Sequence, residues 1–198
     1  MNITTHTEYH FSAEEIKQKT SKPLLWIAIG SIVMLFAAFT SAAIVSKAAS
    51  KVWVTFTMPS MFYVSTMVIV ISSFTFYLAG NSAKKNETGK TTLWVLFTFL
   101  LGVLFTIFQV MAWGDLVNQG VFFAGKQSVA GSSYMYVLSG MHLLHLLGGL
   151  IAMAVVLSKS AAKKYTSENN LGIQLAGIYW HFLGGLWVYL FLFLFFIS

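Results

Sequence analysis

Five long apolar runs separated by polar connectors set the pattern of this chain. They cover roughly Leu24–Val45, Met61–Gly80, Thr92–Trp113, Tyr134–Leu157 and Ile173–Ile197. At 1.5 Å per residue, each is long enough to cross ~30 Å of hydrocarbon. The pattern predicts an all-α, polytopic membrane protein, a bundle of five transmembrane helices. NSAKKNETGK joins spans two and three, and SKSAAKKYTSENN joins spans four and five. A Gly-rich segment, GDLVNQGVFFAGKQSVAGSS, joins spans three and four, and its Phe122 and Phe123 suit an interfacial or partner-facing loop. The expected organisation is a cytoplasmic tail over residues 1–23 and a membrane domain over 24–198, with no soluble second domain. The tail holds three glutamates and no apolar h-region, so it does not read as a cleavable signal peptide. Within it SAEEIKQK predicts a short helix, with Ser12 as cap and Glu15 at the third helical position.

Composition changes the picture only by narrowing it. Of 198 residues 57% are hydrophobic and 9% charged, where a soluble domain carries roughly 25% charge. That excludes a water-soluble globule. The formal charge is +6 and every basic residue is a lysine. The lysines cluster between apolar runs, which suits a membrane face and not nucleic-acid binding. Lys17, Lys19, Lys22, Lys84, Lys85, Lys90, Lys159, Lys163 and Lys164 fall on one side, against Lys47, Lys51 and Lys126 on the other. Nine against three puts the N-terminus inside and the C-terminus outside. Trp26, Trp53, Tyr77, Trp94, Trp113, Tyr134, Tyr136 and Trp180 lie near span ends, as an aromatic belt requires. There is no cysteine, so thiolate chemistry and disulfides are excluded.

No Asp, Glu or Lys sits in the middle of any apolar run. That argues against a proton pump or ion carrier in its own right, which would normally need intramembrane carboxylates. The remaining polar set is His142, His145, His181, Gln109, Gln174 and scattered Ser and Thr. His145 is eleven residues from the outer start of span four, roughly 16 Å down, and His181 is eight from the inner start of span five, roughly 12 Å up. These depths bring them to nearly one level. Residues three apart share a helix face, so His142 and His145 are expected to point the same way. Buried imidazoles in hydrocarbon need partners. Four readings follow: interhelical or headgroup hydrogen bonding, haem held between His181 and His142 or His145, a three-histidine zinc or copper site, and a quinone pocket. No arginine is present for haem propionates, and no carboxylate for a metal's outer shell. Gly148 and Gly149 on span four, with Gly177, Gly184 and Gly185 on span five, predict close backbone approach between those spans. Gly30, Ser31, Ala37 and Ala38 offer span one the same small-residue role.

The segments SGMHLLHLLGGL and AGIYWHFLGGLWVYLFLF resemble two motifs of subunit III of haem-copper terminal oxidases. MPSMFYVSTMVIVISSFTFYLAG is similar to that family's Ser-rich helix before a basic loop. The likeness covers the chain after Pro23, and five spans match the short bacterial form. It implies a subunit with no catalytic residue, metal ligand or cofactor of its own, apart from bound phospholipid. Haems and copper would lie in partner subunits. It implies contact with subunits I and II, a small subunit IV and a larger respiratory supercomplex, in the bacterial inner membrane. The assembled enzyme would be a proton-pumping cytochrome c oxidase that reduces oxygen to water. A quinol oxidase subunit III, an accessory nitric-oxide reductase subunit and a haem-bearing quinone-reactive anchor are the alternatives. Gly140, His142, His145, Trp180, His181 and Trp187 occupy motif positions, and the resemblance implies packing and polar or lipid contact for them. The family's acidic residues are absent near Ile32, Ala112 and Gly184, which leaves the histidines to pair with one another, with Gln109 or with lipid. Asp115 stands just beyond span three as a displaced substitute.

Amine labelling from each face of sealed vesicles tests the orientation. Lysines of the tail and of the second and fourth connectors should react from the cytoplasmic side. Preferential labelling of Lys126 from that side would reverse the topology.

Overall fold

The computed structural model describes residues 13–50, 53, 57–125, 128–166 and 170–197, and side chains from residue 19 onward. It contains five helices: α1 Ala13–Ala49, α2 Ser60–Lys84, α3 Thr88–Asn118, α4 Ala130–Ala161 and α5 Leu171–Ile197. All five are long and apolar enough to cross a membrane. Each outruns the apolar stretch that announced it, because helix formers in the polar flanks prolong the hydrogen-bonded ladder past the hydrocarbon boundary. The largest departure is at α1. A boundary was expected at Pro23, yet Pro23 lies inside the helix. The preceding AEEIKQK is rich in strong helix formers, and the helix continues through Pro23, its eleventh residue, although an interior proline removes one ladder bond and crowds the carbonyl four residues before it. The expected cap, Ser12, lies outside the described residues.

Three helices stop in the same way. After α2, Glu87 N–H donates to Ser82 O and Asn86 N–H to Ala83 O, with Asn86 at φ 58°. After α3, Val121 N–H reaches Leu116 O and Gly120 N–H reaches Val117 O, with Gly120 at φ 79°. After α4, Lys164 N–H reaches Lys159 O and Lys163 N–H reaches Ser160 O, with Lys163 at φ 52°. This is the Schellman arrangement, in which a left-handed residue turns the chain back onto the last free carbonyls. Glycine and asparagine advertise it in the sequence, and Lys163 does not.

Helix α5 lies at the centre, touching α1, α2 and α4, while α3 bridges α2 and α4. Chain ends alternate. Thr92 at the start of α3 meets Ser160 at the end of α4, hydroxyl to hydroxyl at 2.9 Å. At the other end Lys47 Nζ and Trp53 Nε1 both donate to Ile197 O, at 2.6 and 2.9 Å, tying α1 to the end of α5. The core runs through Phe62, Ile69 and Phe76 of α2, Phe105 and Leu116 of α3, Leu138 and Leu146 of α4, and Trp180 and Trp187 of α5. α1 is the least buried span.

Glycines make the close approaches possible, though not all those expected. A Cβ on Gly149 would stand 2.9 Å from Leu183, and one on Gly177 3.0 Å from Phe76. One on Gly184 would stand 2.9 Å from Ser73 Oγ. Gly177 and Gly184 therefore face α2 and not α4. Gly185 meets open space, and Gly140 and Gly148 meet only an aromatic atom at 4.0 Å. One glycine of each pair, Gly148 and Gly185, is rotated out of the contact, since neighbouring residues lie about 100° apart on a helix. Gly30 is likewise open. Gly102 on α3 is tight against two other helices: a Cβ there would sit 2.6 Å from the Trp180 ring and 2.8 Å from Leu150. Gly102→Ala should destabilise the bundle by about 1–3 kcal/mol through overpacking against a ring that cannot swing away. Gly185→Ala should stay within about 0.5 kcal/mol. Thermal unfolding of the two variants in one detergent checks the contrast.

Candidate functional site: the buried polar layers

Polar side chains cross the interior in layers, and α2 supplies most of the acceptors. Trp180 Nε1 donates to Ser72 Oγ at 3.0 Å, and two turns further along α5 Trp187 Nε1 donates to Thr66 Oγ1 at 3.0 Å. Ser72 Oγ in turn donates to Thr98 O at 3.4 Å, and Thr75 and Thr98 pair at 2.9 Å. Gln109 Nε2 donates to Ser65 Oγ at 2.9 Å, and Trp113 Nε1 to Ser139 Oγ at 3.1 Å. Most of these hydroxyls also donate to a carbonyl of their own helix, Ser65 to Phe62 O and Ser139 to Met135 O. A hydroxyl both donates and accepts. It can therefore serve its own helix and still receive a tryptophan N–H from a neighbour.

The histidines separate. His142 is wholly buried, 0% exposed, between Trp187 at 5.2 Å and Phe105 at 6.0 Å between ring centroids. His145 turns toward α1, edge-on to Phe36 at 5.8 Å, and its Nδ1 bonds Met141 O on its own helix at 2.7 Å. His181 is exposed and meets Phe76 of α2 edge-on at 6.2 Å. The depth reading is met in part: Tyr179, two residues before His181, donates to His145 O at 3.2 Å. The facing reading is not met. His142 and His145 meet different aromatic rings, because a three-residue step leaves them about 60° apart, enough to turn one ring to α3 and α5 and the other to α1. His181 faces α2 and opposes neither, so the paired-axial haem geometry and the three-histidine metal geometry are not formed. Among the described residues, no three His, Asp or Glu side chains converge. Gln109, one of the alternative partners expected for the histidines, gives its Nε2–H to Ser65.

His181 borders a groove of about 400 Å³ between the C-terminal end of α2 and the N-terminal end of α5. Phe76, Ile173 and Gly177 form its apolar floor, and Asn81, Lys84 and Gln174 its polar rim. Gln174 is itself held by the Asn170 side chain. The α2 and α3 hydroxyls were passed over in the sequence as scattered Ser and Thr. Their helical spacing was the available signal, since Ser65, Ser72 and Thr75 fall on one stripe of α2.

Comparison with known proteins bears on this arrangement. Residues 18–198 match the family described as cytochrome c oxidase subunit III. The chain belongs to that family. It is 34% identical over 128 residues to cytochrome bo(3) ubiquinol oxidase subunit 3 of Pseudomonas aeruginosa, covering 65% of this chain and 60% of that protein. It is 31% identical over 135 residues to cytochrome c oxidase subunit 3 of Corynebacterium diphtheriae, covering 68% of this chain and 64% of that protein. The matched stretch thus spans less than two thirds of either relative's length. Two of the three positions where acids were expected from the resemblance are closely packed: Ala112 is fully buried, and a Cβ on Gly184 would stand 2.9 Å from Ser73 Oγ. Asp115 is only half-buried, nearer the end of α3 than Ala112.

The Trp187–Thr66 bond should be measurable by a double-mutant cycle. Trp187→Phe and Thr66→Val in the full chain should show a coupling of about 0.6–1.7 kcal/mol, the range for interhelical bonds in bilayers. Strict additivity would show that the bond adds nothing to association of α2 with α5.

Proposed function

We propose that this chain is a non-catalytic integral subunit of a proton-pumping terminal oxidase, most directly one that takes electrons from cytochrome c and reduces oxygen to water. It packs beside the catalytic subunit I, with subunit II, a small subunit IV and a larger respiratory supercomplex as further partners. It lies in a bacterial inner membrane with its N-terminus in the cytoplasm. One observation carries the reading. Trp180 and Trp187 of motif helix α5 bond hydroxyls of α2, and the histidines of α4 and α5 turn to different neighbours. Such an interior supports a role in stabilising a helix bundle. The α2–α5 groove suits a phospholipid: Lys84 and Asn81 at the rim match a phosphate, and Phe76 and Ile173 match an acyl chain. A quinol-oxidising complex is the second reading, favoured by the printed name of the Pseudomonas relative. Assay of the purified assembly with reduced cytochrome c and with quinol separates the two.

His181→Leu removes the polar wall of the groove. The expected result is less co-purified phospholipid and faster activity loss during turnover, with the initial rate of oxygen reduction close to unaltered. Immediate total loss of oxygen reduction in an intact complex would contradict a supporting role.

A further inference from the structure

We infer that His142 and Gln109 together hold one internal water molecule between α4 and α3. Within the described interior, three side-chain polar atoms have no hydrogen-bond partner: Gln109 Oε1 and both ring nitrogens of His142. They share one layer. Phe105, one turn before Gln109 on α3, touches the His142 ring, and Trp113, one turn after it, bonds Ser139, one turn before His142 on α4. Gln109 is thereby bracketed between the levels of His142 and Ser139, within one turn of His142.

The neighbouring groups that could satisfy either residue are committed. Trp187 gives its N–H to Thr66, Ser65 serves Gln109 Nε2 and Phe62 O, and Ser139 serves Trp113 and Met135 O. Phe105 offers no hydrogen bond. The orphaned groups are complementary, a neutral imidazole bringing one N–H and the amide one free carbonyl oxygen. They do not reach each other directly. A water spans such a separation by accepting the imidazole N–H and donating to Gln109 Oε1. The second ring nitrogen is then left unprotonated against the aromatic walls, which costs less than burying a bare N–H there. Exposures of 0% for His142 and 1% for Gln109 exclude a ligand larger than solvent. Buried waters occupy such places, where polar groups would otherwise go unpaired.

The test is water-edited nuclear magnetic resonance on the full chain in bilayers, with ¹⁵N-labelled histidine. Magnetisation should pass from a tightly held water to one ring nitrogen of His142, the resonance being assigned by its loss in His142→Phe. Gln109→Leu, which removes the second anchor, should abolish or sharply weaken that transfer. A map of the intact assembly that resolves ordered solvent should show a single peak within hydrogen-bond range of both groups. The inference is overturned by a His142 resonance with no water transfer in the unaltered chain, or by a map showing the ring bonded directly to the amide. The map depends on no variant folding, and neither reading depends on which oxidase the chain serves.

Discussion

Hydrocarbon offers no hydrogen bonds, and that single constraint orders the interior of this protein. Each backbone amide is paired within its own helix, so side-chain donors are left to find acceptors on other helices. The chain meets the demand with hydroxyls. Ser65, Thr66, Ser72 and Thr98 each return one bond to a backbone carbonyl and stay available to a partner. Trp180 and Trp187 of α5, and Gln109 of α3, use that second capacity. A tryptophan seated in this way must lie at one height on α2, which fixes the register of two helices that apolar packing alone would let slide.

Close approach and hydrogen bonding depend on one another. Gly177 and Gly184 bring α5 against α2, within reach of Ser72 and Thr66. Gly102 opens a slot in α3 for the far edge of the Trp180 ring. A side chain at Gly184 would have to displace Ser73 of α2, so the small residues and the tryptophan–hydroxyl contacts form one packing solution. That packing is the physical content of the supporting role we propose.

Much of this was legible in the sequence. Five spans, their approximate limits and the family resemblance follow from hydropathy and two short motifs. Depth was partly legible as well, since helical rise set the level at which Tyr179 meets His145. Direction around each helix was not. Whether His181 faces α4 or α2 depends on where the neighbouring helices stand, and a connector length fixes adjacency without fixing rotation. The same blindness explains the paired glycines, of which Gly149 and Gly184 are packed while Gly148 and Gly185 look outward. Pro23 misled because a proline disfavours a helix interior, yet here α1 runs through it. Lys163 gave no sign that it would take a left-handed turn.

The most direct test of the account is the absorption spectrum and metal content of this chain purified alone, with its helices shown to be intact. A bundle held together by tryptophan–hydroxyl bonds and glycine contacts should be colourless and free of stoichiometric iron or copper, yet fully helical. A Soret band, or iron or copper bound one-to-one and lost on replacing His142, His145 or His181, would contradict it.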